Sequence, residues 1–565
     1  MIRICAAPKR FIAAKTRCKR HHTWLKGSSL SRVNYAPVYS ILPASVGYAA
    51  GMDTAVGCQR RLFNSNPNQI AVDSSHQLVP VQEMVPEDYR DSMSLTGPRL
   101  DSWYTGKHPS KCPGFVSDTS GEYVTSLPQV ATVTTRSALQ DYLDNTWCMT
   151  EILLGGLQSE AAFMAPPYHD LRHPMIFYLG HPAVLYVNKL RVAGVLKQGI
   201  DPYFEEIFET GVDEMSWDDL SKNKMRWPSV KEVHAYRQKV YVLLSDLISG
   251  LSDDELRGGG QKSPLWALFM GFEHERIHLE TSSVLIAEMP LKYVSRPAYF
   301  PPNHSSAKVV VEADSTDREV PVEGKDFPIN RYLDVPATPS VTLGKPASFP
   351  SYGFDNEYGD KTVSRVPTFA ASQHLITNGD FLAFLQDSGY SKREYWSEQG
   401  WKWKSYRNSK FPTFWVKNGP TGLPHTYNLR LIFELVEMPW DWPVSVNLHE
   451  ASAYAAWKTA KANSDATIGG EPLPLYRVMT EVEHHALRQH TAGRHGATPD
   501  PVLVYEGATM MSSVGCYVDS YMHCLFIVLI PDCMLVCIGG SILSAVRRQH
   551  QHVTRIHVLC DRQCP

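Results

Sequence analysis

Several residue types are missing where a particular function would need them. No Asp or Glu occurs between Met1 and Met52, while Arg3, Lys9, Arg10, Lys15, Arg17, Lys19, Arg20, Lys26 and Arg32 all fall there. An acid-free basic start with interspersed Ala and Ser has the composition of a mitochondrial transit peptide or of a disordered extension. It has no apolar run of the secretory kind, so the expected compartment is intracellular, mitochondrial or cytoplasmic, and cysteines are expected as thiols. Six of the 11 cysteines crowd into the last segment (Cys516, Cys524, Cys533, Cys537, Cys560 and Cys564), yet none forms a CxxC pair. That spacing gives no support to a zinc knuckle. Basic residues form no stripe across the body and the net charge is -3, so nucleic acid is not an expected partner. From Thr491 to Pro565 there is no Trp, Asn or Lys.

What is present is a soluble-type body of 565 residues, 43% hydrophobic and 20% charged, enough for two to four domains. Its most informative stretch is His274-Glu275-Arg276-Ile277-His278-Leu279-Glu280. The run from Ser263 to Met289, closed by Pro290, reads as one long helix carrying Leu268, Phe272, Leu279, Ile286 and Ala287. At roughly 100° per residue, His274 and His278 lie about 40° apart, so both imidazoles can reach one ion. On the same count Glu280 sits about 200° from His278 and is a poor ligand candidate.

Read literally, His274-Glu-x-x-His278 is the zinc-protease pattern, with Glu275 as base. The long class of such proteases continues to a glycine and a third histidine, but Thr281 and Val284 stand at those positions. The short class needs a glutamate on a downstream helix, and Pro297, Pro301 and Pro302 interrupt the chain there. A better third ligand is His181, flanked on both sides by apolar residues in Phe177-Tyr-Leu-Gly-His181-Pro-Ala-Val-Leu-Tyr186. Three imidazoles without a carboxylate describe an open mononuclear site that suits iron or zinc.

Helical spacing begins near Ser137, with Leu139, Tyr142, Leu143, Trp147, Ile152 and Leu153. A second helix is expected over roughly Met175–Lys197, and a third after Ser229, with Val233, Tyr236, Val240, Leu243 and Leu247 as its apolar stripe. With the His274/His278 helix these make a four-helix bundle with a metal site in its core. The acidic, aromatic stretch Asp213–Asp219 reads as a solvated loop. Residues 299–342 are a linker with possible short strands. Beyond it lies an irregular domain packed by Trp and Tyr, with one amphipathic helix over Ala451–Lys461 that packs Tyr454 and Trp457.

These residues resemble the ovothiol-pathway 5-histidylcysteine sulfoxide synthases and, more distantly, the ergothioneine-pathway sulfoxide synthases. The first domain carries the likeness in Leu171-Arg-His-Pro-Met-Ile-Phe-Tyr-Leu-Gly-His181, Tyr186-Val-Asn-Lys-Leu190 and His274-x-x-x-His278-x-Glu280. The second domain resembles formylglycine-generating-enzyme-like domains. Its matching segments are Tyr352-Gly-Phe-Asp-Asn-Glu357, Thr377-Asn378, Pro443-Val-Ser-Val-Asn447, Ala451-x-x-Tyr454-x-x-Trp457 and Met479-Thr480-Glu481-x-Glu483. The resemblance runs from roughly Ser94 to His490.

It implies an α+β chain: a DinB-like four-helix bundle followed by an incomplete formylglycine-generating-enzyme-like (C-type-lectin-like) domain. The expected divisions are a basic targeting or disordered extension (1–60), an irregular lead-in (61–135), the bundle (136–300), the linker (301–342), the second domain (343–505) and a divergent tail (506–565). It also implies Fe(2+) held by His181, His274 and His278, with cysteine, histidine and O2 as substrates. Arg226, just before Trp227-Pro228, is the candidate clamp for a substrate carboxylate, its alternative being a surface arginine at a helix start. A zinc metalloprotease and a non-catalytic metal-binding homologue are the competing readings.

After about Tyr505 the resemblance stops. The family places a catalytic tyrosine beyond that point, so the catalytic residue of this chain is unassigned, and weak or absent turnover is the expectation for this form. Relatives also often carry a methyltransferase domain, but no Gly-rich nucleotide loop follows a strand here. The apolar run Cys524–Gly540 is long enough to span a membrane, but Asp532 near its centre costs about 2.5–3.5 kcal/mol and argues against a membrane tail.

Overall fold

The computed structural model describes residues 4–6, 95–127, 135–168, 172–209, 226–257, 263–310, 319–348, 352–354, 357–418, 426–465 and 475–494. The targeting reading of 1–60, apart from Ile4–Ala6, the 213–219 loop and the 506–565 tail lie outside these residues.

The helices of the first half are α1 (Arg136–Leu154), α2 (Glu160–Met164), α3 (Met175–Val192), α4 (Pro202–Ile207), α5 (Val230–Gly250), α6 (Asp253–Arg257) and α7 (Trp266–Glu288). The long ones, α1, α3, α5 and α7, form the bundle. Local chemistry sets their ends. The Thr135 hydroxyl accepts the Ala138 N–H to start α1. Ser229 and Glu232 form a reciprocal capping box at the start of α5, with the Ser229 N–H donating to Glu232 Oε2 at 2.8 Å. Helix α3 stops five residues short of the expected Lys197. There Gly194 takes a φ of 74°, and the Val195 and Gly194 N–H groups return to Leu190 O and Arg191 O, at 2.9 and 3.0 Å. This glycine-centred closure satisfies carbonyls that would otherwise be orphaned at the helix end.

Trp147, Leu143, Leu179, Val184, Tyr186, Val233, Val240 and Phe272 are buried at the bundle centre. The lead-in packs against it through Trp103, whose indole N–H donates to Glu151 O at 2.8 Å. Among the described residues Cys112 and Cys148 are buried free thiols.

The strands are β1 (Ile4–Ala6), β2 (Phe115–Asp118), β3 (Gly121–Val124), β4 (Tyr332–Val335), β5 (Thr338–Leu343), β6 (Lys361–Val366), β7 (Phe369–Ser372), β8 (Trp415–Lys417), β9 (Tyr427–Arg430), β10 (Leu435–Glu437) and β11 (Tyr476–Val478). β2 and β3 form a lead-in hairpin, with Phe115 opposite Val124. In the second domain a four-stranded sheet runs β11-β1-β7-β4, and a three-stranded sheet runs β10-β9-β8, every pair antiparallel. β1 enters this sheet from the far end of the chain, with Cys5 opposite both Arg477 and Ala371. β4 and most of β5 fall within the stretch 299–342 read as a linker, and β4 pairs with β7 in the four-stranded sheet.

Helices α8 (Asn378–Gln386), α9 (Glu398–Tyr406), α10 (Leu448–Asp465) and α11 (Glu481–Arg494) complete the described part. α10 contains the expected amphipathic segment and buries both Tyr454 and Trp457. Phe381 stacks on Tyr454 with ring centroids 5.4 Å apart, and Trp415, Tyr390 and Trp396 fill the same aromatic core.

The two halves meet along α7. Ile432 and Phe433, from the loop between β9 and β10, are buried in the bundle core. Gly156 is where Phe433 crosses, since a Cβ there would stand 2.1 Å from the ring. Arg296 pairs with Glu434 at 2.5 Å across the seam. The Trp266 ring, at the start of α7, lies 4.9 Å from that of Tyr352.

Candidate metal centre

The centre is built on two helices. α7 presents His274 and His278 one turn apart, and α3 presents His181. Their Nε2 atoms converge: His181 to His274 is 3.2 Å, and His278 to His274 is 3.0 Å. All three ligand atoms lie within 4.8 Å of one another. Imidazole nitrogens about 2.0–2.1 Å from one ion, roughly at right angles, stand about 3 Å apart. A set spaced in this way could hold a metal ion.

Protonation agrees with geometry. His181 Nδ1 lies 2.6 Å from Phe208 O, and a carbonyl can only accept, so the proton sits on Nδ1 and the Nε2 lone pair faces the other rings. Burial holds the His181 pKa down to about 4. His274 is held well below its ordinary range by burial and then by the charges of His278 and His181; burial and His181 act likewise on His278. Three neutral imidazoles are therefore available at neutral pH. Phe177 stacks on His181, centroids 4.6 Å apart, and fixes the ring plane.

The glutamates do not join this cluster. Glu275 is fully buried, accepts from Tyr186 Oη at 2.9 Å and faces Arg237 Nη2 at 3.3 Å. Its carboxylate is thereby engaged in the bundle core, which removes the base that the protease reading needs. Glu280 lies beside Glu273; burial first, and then that neighbouring charge, push its carboxyl up to about 8. Glu273 accepts from Tyr142 Oη at 2.6 Å. Arg226 is exposed at the start of the segment that leads into α5.

Two participants escaped the sequence reading. Phe208 O, which orients His181, is a backbone atom with no residue-type signature. Arg237 was visible in principle. It interrupts the apolar stripe Val233, Val240 and Leu244 at core spacing, and a charge there needs buried partners.

Family comparisons agree with this architecture. Residues 142–282 match the DinB superfamily, and residues 331–498 match the sulfatase-modifying factor enzyme 1-like domain. The chain is a DinB-type bundle followed by a sulfatase-modifying-factor-type domain. A hercynine oxygenase of Mycobacterium tuberculosis is 36% identical over 121 residues, which are 21% of this chain and 26% of that protein. The hercynine oxygenase of Mycolicibacterium smegmatis is 33% identical over 129 residues, 22% of this chain and 28% of its own length. Ergothioneine biosynthesis protein 1 of Neurospora crassa is 24% identical over 365 residues, 59% of this chain and 38% of that protein. The matched part thus spans 26% to 38% of the length of these relatives. Among the described residues no helix is long and apolar enough to cross a membrane.

Proposed function

We propose that this chain is a non-haem iron(II)-dependent sulfoxide synthase of the ovothiol type. In the proposed reaction the thiol of cysteine and a C–H of the histidine imidazole combine with O2. A C–S bond forms, one oxygen atom stays on sulfur as the sulfoxide, and the other leaves as water with the two displaced hydrogens. The observation that carries this reading is the convergence of three neutral imidazole Nε2 atoms with no carboxylate among them. Kinship with proteins named hercynine oxygenase and ergothioneine biosynthesis protein supports the reaction class.

His181, His274 and His278 would hold the ferrous ion, which when bound supplies open positions for a soft sulfur donor and O2. The chain's own residues prepare that site. The Phe208 carbonyl keeps the His181 proton on Nδ1, so that nitrogen stays out of the ligand set. Phe177 and Tyr178 wall the imidazoles; the Tyr178 ring lies 5.7 Å from that of His278 and keeps water from one side. Arg226 is proposed as the clamp on a substrate carboxylate, reached by bidentate pairing. The second domain, seated along α7, would hold the two amino acids in register.

Oxygen uptake by the full chain, loaded with Fe(2+) anaerobically, tests the reading. Uptake should require cysteine and an imidazole substrate together, and mass spectrometry should find their sulfoxide conjugate. Histidine and hercynine, each supplied with cysteine, separate the ovothiol-type reaction from that suggested by the relatives' names. Chelator-sensitive peptide cleavage restored by zinc would replace the proposal with a protease.

A further inference from the structure

The bundle contains a cluster of charges that the proposed chemistry does not use. Arg237 of α5, Glu151 of α1 and Glu275 of α7 are each buried with no measurable exposure. Arg237 Nη2 donates to Glu275 Oε1 at 3.3 Å, and its Nε faces Glu151 Oε1 at 3.6 Å. Nη1 donates to Leu179 O of α3 at 3.1 Å, and the guanidinium lies 4.0 Å over the Trp147 ring of α1. Tyr186 of α3 donates to the other oxygen of Glu275 at 2.9 Å. Glu151 is held in turn by the Thr105 N–H at 3.0 Å and by the Thr105 hydroxyl. One side chain of α5 therefore touches each of the other three helices of the bundle.

Stability alone does not account for such a cluster. Removing ions from water is costly, and a well-packed apolar replacement of a complete buried ion group is often neutral or stabilising. What sets this cluster apart is where its contacts fall. Leu179 precedes His181 by two residues, and Glu275 lies between His274 and His278. On α7 the Glu275 side chain projects about 100° round the helix from His274. Holding Glu275 at that angle therefore fixes the roll of the helix and with it the direction of both imidazoles.

Two further details tighten the coupling. Pro182, next to His181, has no N–H to return to the Tyr178 carbonyl, so the ladder of α3 is open at that turn. Arg237 restrains the adjoining carbonyl, Leu179 O. Gly271 of α7 lets the Tyr186 ring lie against the helix, since a Cβ there would stand 2.2 Å from its Cδ1. Helices that can roll or slide by a fraction of a turn would otherwise spread three nitrogens that stand about 3 Å apart.

We infer that Arg237, with Glu151 and Glu275, is a positioning residue for the metal centre: it sets the roll of α7 and its register against α3, so that His274 and His278 meet His181. This rests on the three histidines being metal ligands. Glu275, the residue that makes the helix look like a protease motif, acts here through Arg237 and Tyr186 and not on a substrate.

The test uses Co2+ as probe with the full chain, because its absorption bands report ligand geometry independently of turnover. The triple variant E151Q/R237M/E275Q leaves no uncompensated charge in the core. It should keep the wild-type circular dichroism but bind Co2+ about 10- to 100-fold more weakly, with shifted bands. R237K, which keeps a charge without the planar fork, should recover only part of the affinity. Wild-type affinity and spectrum in a folded triple variant would overturn the inference. If the triple variant does not fold, E275Q alone decides, and an unchanged Co2+ spectrum there overturns it. A wild-type chain that binds no Co2+ would remove the three-histidine reading itself, and the positioning role with it; intact wild-type binding matched by the variants removes only the role of Arg237.

Discussion

Arg430 of β9 donates through Nε to the carbonyl of Ala287, 3.1 Å away in the last turn of the helix that carries His274 and His278. Its Nη2 also reaches Ile286 O at 3.4 Å and Met289 O at 3.3 Å. The last carbonyls of a helix have no partner within it and carry partial negative charge. A residue of the second domain thus caps the histidine-bearing helix of the first. Burial lowers the Arg430 pKa to about 10, so the guanidinium stays charged at neutral pH.

Arg430→Met should therefore loosen the seam. Charged hydrogen bonds to buried acceptors contribute about 1.5–3 kcal/mol each at most, and the carbonyls left behind would be desolvated without a partner. A fall of roughly 2 kcal/mol in stability to urea is expected. An unchanged urea midpoint would show that the cap contributes nothing.

Loss of a single ligand should empty the metal centre. The wild-type chain purified anaerobically with ferrous iron should retain about one ion, and His181→Ala or His278→Ala should lose most of it on desalting, because two imidazoles leave the ion open to water. Metal analysis reads this directly. Full retention in His181→Ala would exclude the three-histidine site. Chelation should also lower the melting temperature of the wild type, since an ion that binds only the folded state stabilises it.

Gly271→Ala is a small change at a tight place. The added methyl would meet the Tyr186 ring at 2.2 Å and push it off Glu275. Overpacking of this kind costs about 1–3 kcal/mol, despite the better helix propensity of alanine. Thermal unfolding should register the loss; a more stable variant would mean that Tyr186 moves aside freely.

The pH dependence has a definite sign at His234. Its Nε2–H donates to Trp103 O, and burial, followed by the charge of Arg237, lowers its pKa to about 4. A histidine held neutral in the folded state contributes stability that is present above its unfolded value near 6.5. That stability is lost as pH falls through about 4. His234→Gln keeps a donor of similar reach without the titration. It should flatten the stability profile between about pH 6.5 and 4 by up to roughly 3 kcal/mol, the worth of that shift. Parallel profiles for wild type and variant would assign the acid sensitivity to other groups.

The helices of the bundle were legible in sequence because their signals are local. Ser229 with Glu232 marks the start of α5, Pro290 follows the end of α7, and the i,i+4 histidines lie on one face. His181 was legible as a polar residue inside an apolar helix. Contacts made across long stretches of chain left no such mark. The pairing of Ile4–Ala6 with β7 and β11 joins segments more than 360 residues apart, and nothing in a three-residue strand names its partner. The end of α3 was misplaced because the apolar pattern carries on through Val195 and Leu196 while Gly194 has already reversed the backbone. The role of Glu275 was hidden for a different reason: motif spacing says which residues share a turn, not which way a carboxylate is drawn by an arginine on another helix.

An ion held by three uncharged rings has none of its own charge cancelled. A divalent cation among His181, His274 and His278 would keep a formal charge of +2 in surroundings where Glu275 is already matched by Arg237. Whatever fills the remaining positions is then selected for negative charge. Azide, cyanide and thiolates at modest concentration should compete for the same place, while neutral amines of similar size should not.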